Sequence, residues 1–156
     1  MLYEDVFVWL ERDEVRYVVV GSFALVLHGH DRAAADLDLV VDPEADNTRR
    51  ATCALVRAGF FPTIPLGLDE VTVLRMLDGA GRRVDVFARF FVPFAELLAG
   101  SVRVRVGGQL VRVASLADLV RVKRLTGRPR DLEDAERLLR ACDEGRQTRH
   151  ESDERK

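Results

Sequence analysis

The stretch Asp36-Leu37-Asp38-Leu39-Val40-Val41-Asp42, DLDLVVD, decides how the rest of the chain is read. Leu37 and the run Leu39–Val41 have the composition of a buried strand, and Asp42-Pro43 is a stop signal. Side chains alternate across a strand that rises about 3.3 Å per residue, so Asp36 and Asp38 share one face, about 6–7 Å apart. Leu37 and Leu39 then point to the other face. Two like charges on one face of a core strand are costly when desolvated, unless a cation lies between them. The stretch therefore asks for a counter-charge, either a metal ion or some of the many arginines.

Outward from this strand, the chain alternates short apolar runs with helical periodicity. Upstream, RYVVVG at 16–21 reads as a strand ended by Gly21, and Ser22 is placed to cap a short helix, FALVLHG. Gly29 closes that helix, with His28 in its last turn as a favourable charge at a helix C-terminus. Residues 3–13 carry Val6, Phe7, Trp9 and Leu10 at amphipathic spacing. Downstream, a helix is predicted over about 45–58, ended by Gly59. VTVLRML at 71–77 and RRVDVFA at 82–88 form a hairpin around Asp78-Gly79-Ala80-Gly81. A short helix follows at 93–99, then a second hairpin, VRVRV and LVRVA, around Gly107-Gly108. SLADLVRVKRL opens with a Ser-x-x-Asp cap and runs as a helix to about 126. Pro129 suits the first turn of a last helix, to about 142, and from Asp143 the chain is polar and aperiodic. The prediction is an α+β fold: a mixed or antiparallel sheet flanked by helices, with a short C-terminal helical pair. Residues 1–142 are expected to form a single domain and 143–156 a polar tail.

Composition narrows the class. A chain of 156 residues with 47% hydrophobic and 32% charged residues suits one globular domain. Its net charge of −2 argues against a surface that coats nucleic acid generically. Lys123 and Lys156 are the only lysines in an arginine-rich chain, so Lys123 draws notice. Cys53 and Cys142 form no CxxC or Cys/His cluster and are expected to be reduced, packed thiols. The start, MLYEDVFVWLERDEV, has no basic n-region, and no apolar run approaches a membrane span of about 20 residues. No membrane partner is expected, and the expected compartment is the cytoplasm.

Three features carry chemistry. Gly21-Ser22 sits between a strand and a helix, where free N–H groups and a close backbone approach suit a phosphate; taken alone, it reads first as a simple helix cap. The Asp36/Asp38 pair is the second. Asp85, in RRVDVF, is the third: it shares a face with Phe87 while Val84 and Val86 take the other. Taken singly, the acids read as arginine partners. Taken together, they form the hard-oxygen cluster that a pair of divalent ions about 3.5–4 Å apart requires alongside substrate phosphates. There is no G-x-x-x-x-G-K-[ST], and His28, His30 and His150 do not form a zinc set.

The arrangement resembles the nucleotidyltransferase superfamily typified by DNA polymerase beta. Its signature is a hydrophobic residue, Gly and Gly or Ser, then about 9–13 residues, then Asp-h-[Asp/Glu]-h, with a third carboxylate on a later strand. Here that is Val20-Gly21-Ser22, thirteen residues, Asp36-Leu37-Asp38-Leu39, and Asp85. GSFALVLHGHDRAAADLDLVVD and SLADLVRVKRLTGRPRDLEDAERL look more narrowly like the small bacterial AbiEii/MenT-type enzymes, over about residues 16–140. Ala33-Ala34-Ala35 departs from that group's Thr or Ser before the acid pair, and the large helical domain of the longer toxins has no counterpart here.

The resemblance implies an NTP-dependent, pyrophosphate-releasing transfer of an NMP to an acceptor hydroxyl on tRNA, a protein or a small molecule. It implies Asp36, Asp38 and Asp85 as catalytic ligands of two Mg²⁺ ions, for which Mn²⁺ could substitute. Gly21 and Ser22 would hold the phosphates, and Arg32 and Lys123 would neutralise their charge. A cognate antitoxin protein is an implied partner of a toxin. Arg128 and Asp131 read by default as an interhelix lock and a cap. Arg103, Arg105 and Arg112 alternate along the second hairpin as a strip for RNA phosphates or as a plain exposed face. Two further readings stay open: a non-catalytic nucleotide- or partner-binding module of the same fold, and a structural domain whose Asp residues simply pair with Arg.

Overall fold

Alternation of acid and aliphatic side chains at 36–41 does build a core strand. The computed structural model describes residues 2–29, 36–126, 129, 133 and 136–144, and divides the chain into two units, Met1–Ser115 and Leu116–Lys156. In the first unit the order is α1 (Glu4–Arg12), β1 (Tyr17–Val20), α2 (Gly21–Leu27), β2 (Asp36–Val41), α3 (Ala45–Arg57) and β3 (Phe61–Pro62). Then follow β4 (Leu74–Leu77), β5 (Arg83–Phe87), α4 (Phe94–Gly100), β6 (Val102–Val106) and β7 (Gln109–Val113). The second unit contains α5 (Leu116–Thr126) and a helical stretch at 136–144. No described helix is long and apolar enough to cross a membrane.

The first unit is a seven-stranded mixed sheet in the order β3-β4-β5-β2-β1-β7-β6, as the α+β reading requires. The two predicted hairpins, β4–β5 and β6–β7, are antiparallel, and so is β1–β2. The β2–β5 and β1–β7 pairs are parallel and join segments far apart in sequence. One sheet face buries Val19, Leu37, Leu39, Met76, Val84 and Val86 completely or almost so. Each such aliphatic side chain contributes about 1.5–3 kcal/mol relative to exposure. Around α1 and α2, Phe7 stacks on Tyr17 and Phe23, and Tyr3 meets Phe23 edge-on with centroids 5.4 Å apart. The Tyr3 hydroxyl donates to the Arg83 carbonyl at 3.2 Å, tying α1 to the start of β5.

Asp42 serves the turn that ends β2. It accepts from the Glu44 N–H at 3.0 Å and pairs with Arg16 Nε at 2.9 Å. The fully buried Asn47 locks the same corner, accepting from the Arg16 N–H and donating to the Arg16 and Asp42 carbonyls.

Several expectations need correction. Ser22 is not the cap of α2: the helix begins at Gly21, its N-cap is Val20, and no side chain caps it. Gly21 at φ 71° makes the strand-to-helix turn by itself, one residue earlier than a Ser cap needs. The strand predicted from Val71 starts only at Leu74, the residue paired with Val86 near the end of β5. The short β3 was not anticipated at all. Both cysteines are free, but Cys53 is exposed rather than packed. The described helical stretch includes Asp143 and Glu144, while 145–156, Arg128 and Asp131 lie outside the described residues.

Candidate active site

Strand register assembles the acids. The parallel β2–β5 pair sets Asp38 opposite Asp85 and Asp36 opposite Arg83. The antiparallel β4–β5 pair sets Arg75 opposite Asp85 and Leu77 opposite Arg83. On the other flank Val20 faces Asp38, so the chain enters α2 beside that carboxylate. Two rows therefore cross one sheet face: Arg75, Asp85, Asp38 and Val20, then Phe61, Leu77, Arg83 and Asp36. Asp85 is buried, Asp36 and Asp38 are half-buried, and Phe61 and Leu77 are exposed.

Gly21 completes the arrangement. A Cβ there would collide with the Asp38 carboxylate, lying 3.2 Å from its Cγ. Only glycine combines this close approach with a positive φ at the junction. Ser22 follows in the first turn of α2, with its side chain exposed.

The acids carry unequal electrostatic loads. Arg83 Nη2 pairs with Asp36 Oδ2, and Arg83 Nε lies 3.7 Å from Asp85 Oδ2. Arg75 Nε donates to Asp85 Oδ1 at 3.1 Å. Asp38 has no ion-pair partner among the described residues. Burial first, then repulsion from Asp85 and Asp36, pushes its carboxyl up to about 6, against a partial offset from Arg83 and Arg75. Among the described residues no three His, Cys, Asp or Glu side chains are gathered to hold a metal ion, and guanidinium groups lie against Asp36 and Asp85.

The remaining candidates lie elsewhere in the first unit, in the second unit, or outside the described residues. Arg32 lies outside the described residues. Lys123 is half-buried in α5 of the second unit. His28 is the C-cap of α2, and its Nε2 lies 2.7 Å from the Ala114 carbonyl, tying the end of α2 to the segment after β7. Arg103 and Arg112 are cross-strand partners on the edge hairpin, and Arg105 faces Leu110. A cavity of about 590 Å³, lined by Pro43, Thr48, Cys53, Leu68 and Arg89 among others, opens beyond the far end of β2, away from the acids. The specific partners Arg75 and Arg83 were missed in the sequence. Their signal was the hairpin: alternation puts Arg83 beside Asp85, and the turn brings Arg75 opposite it.

No family model matches the chain, and no curated protein matches it. Solved structures do. A candidate nucleotidyltransferase from Thermotoga maritima is 18% identical, covers 92% of this chain and 91% of its own, and superposes with a TM-score of 0.65. ANT(2″)-Ia, solved in complex with adenylyl-2″-tobramycin, is 15% identical over 88% of this chain and 84% of its own, with a TM-score of 0.60. JHP933 from Helicobacter pylori is 18% identical over 88% of this chain and 62% of its own, with a TM-score of 0.54. At these identities the likeness shows the fold alone: this chain shares its sheet-and-helix architecture with these structures.

Proposed function

We propose that this chain, with its nucleotidyltransferase-superfamily fold, transfers an NMP from an NTP to an acceptor hydroxyl and releases pyrophosphate. One observation carries the reading: the register of β1, β2 and β5 brings Asp36, Asp38 and Asp85 to one face, beside Gly21, which approaches the Asp38 carboxylate at a positive φ. The donor set is three carboxylates, whose hard oxygens suit Mg²⁺ or Mn²⁺, and the repelled Asp38 would gain most from a cation. Asp36, Asp38 and Asp85 would hold the ions. Bound there, they would neutralise phosphate charge and lower the pKa of the acceptor hydroxyl.

The chain's own residues do the rest. Gly21 N–H and the Ser22 hydroxyl bind phosphate oxygens on the β1 side of Asp38. Asp85 accepts the acceptor's proton. Arg32 and Lys123 are the residues to which the family resemblance gives the role of neutralising the departing pyrophosphate. With phosphates on the β1 side, the acceptor approaches from the β4 side, across Arg75, Leu77 and Phe61. That acceptor is a tRNA end, a protein hydroxyl or a small molecule; the adenylylated tobramycin held by ANT(2″)-Ia supports the last class. The motif likeness to AbiEii/MenT-type enzymes supports a role as the toxin or modifier of a toxin–antitoxin or phage-defence system, acting in the cytoplasm with a cognate antitoxin.

The pairing of two triad acids with arginines favours a second reading, a non-catalytic nucleotide- or partner-binding module. Incubation with each labelled NTP, Mg²⁺ or Mn²⁺, and bulk tRNA, protein extract or aminoglycosides separates the two. Label transfer that Asp38→Asn abolishes is expected. NTP binding without transfer to any acceptor would decide for the module, and loss of both would end the nucleotidyl-transfer reading.

A further inference from the structure

The two guanidinium groups on the carboxylate face are placed by the fold itself. Arg83 is the cross-strand neighbour of Asp36 and lies two residues before Asp85 on β5, so its side chain reaches both acids. Arg75 is the cross-strand neighbour of Asp85. Both arginines belong to the β4–β5 hairpin, so one turn sets both contacts. Arg83 Nε is buried yet has no hydrogen-bond partner, and Asp85 Oδ2 at 3.7 Å is too far to serve as one. A buried orphan donor is costly, so the Arg83 Nε–Asp85 contact is one of charge alone, beside the hydrogen bonds from Arg83 to Asp36 and from Arg75 to Asp85.

The acids and the arginines also differ in freedom. The Asp85 side chain is 10% exposed and sits on a central strand, whereas Arg75 is 50% exposed and Arg83 35%. The arginines can swing toward solvent on their long stems; Asp85 has nowhere to go. We propose that Arg83 and Arg75 are built-in counter-ions that keep the metal-free site closed to divalent cations and must release Asp36 and Asp85 before a cation loads. This inference rests on the metal-dependent reading of the same face. Released from the acids, both side chains remain on the face where the triphosphate and the acceptor meet, and each can pair with anionic phosphate oxygens. The site thereby exchanges one set of charge pairs for another, and loading is favoured when substrate phosphate is present to receive the arginines.

The test is Mn²⁺ binding without nucleotide, read by electron paramagnetic resonance of the free ion and by calorimetry, on the full chain. Removing a guanidinium from within about 4 Å of a carboxylate should tighten Mn²⁺ binding on the order of tenfold or more in Arg83→Gln and in Arg75→Gln. Arg83→Lys keeps the charge and should bind like the parent. Melting curves report folding, and Arg75→Gln, at a half-exposed residue, is an independent arm if Arg83→Gln does not fold. Unchanged or weaker affinity in the Gln variants, with Asp38→Asn abolishing the parent's binding, overturns the counter-ion role and leaves the metal site standing. Equal tightening in Arg83→Lys also overturns it, since charge is then not the cause. Absence of Mn²⁺ binding in the parent and every variant removes the metal site and this inference together.

Discussion

Replacing Asp38 by Asn should stabilise the metal-free protein at neutral pH, and the gain should fade as the solution is acidified. The Asp38 carboxyl is raised from 3.8 to about 6 by burial and by Asp85 and Asp36. The folded state thus holds this proton more tightly than the unfolded chain does. Its contribution to stability is fully present below about 3.8 and is lost as pH rises through about 6. A rise of about two units corresponds to about 3 kcal/mol against folding at pH 7.5, shrinking to about 1 kcal/mol at pH 4.5. Asn has nearly the same shape and no charge, so it removes that penalty. Residual solvent access to the half-buried group brings the observable gain at pH 7.5 to about 1–3 kcal/mol, a rise in Tm of roughly 3–10 °C. The assay is urea and thermal unfolding of parent and variant in EDTA, from pH 4.5 to 8, comparing the difference between them at each pH. A destabilised variant, or a gain that does not change with pH, would refute the electrostatic reasoning. Stability gained together with lost transfer is the mark of an acid kept for chemistry rather than for folding.

Gly21→Ala should destabilise the fold by about 1–3 kcal/mol, combining a Cβ at positive φ with collision against Asp38; urea unfolding measures it, and a neutral result would mean that the turn relaxes freely. Asn47→Ala should cost about 2–4 kcal/mol, because it strands the Arg16 N–H and two carbonyls at a buried corner; a loss below about 1 kcal/mol would show that water replaces the side chain. Asp36→Asn and Asp85→Asn should each lower NMP transfer by about a thousandfold or more while the far-ultraviolet spectrum stays native. Retention of activity within about tenfold in either variant would remove that residue from the chemistry.

Much of this fold is local and was legible in the residues. Period-two alternation marked Asp36–Val41 and Arg83–Phe87 as strands, and glycine-bearing turns marked both hairpins. The same alternation put Asp36 and Asp38 on one face without any knowledge of their neighbours. What touches them is a different kind of fact. The opposition of Asp38 and Asp85 depends on a parallel pairing of segments some 47 residues apart, and no periodicity encodes that register. A slip of one residue would have turned Asp85 into the aliphatic layer and Val84 toward the acids. Register also chose Arg83 and Arg75 from an arginine-rich chain as the partners of Asp36 and Asp85, and left Asp38 to bear the repulsion. Ser22 shows the limit in the other direction: its type favours a cap, but Gly21, at a positive φ beside Asp38, starts the helix before it. Local chemistry thus determined which residues could carry charge to a strand face, and long-range hydrogen bonding decided which charges meet there.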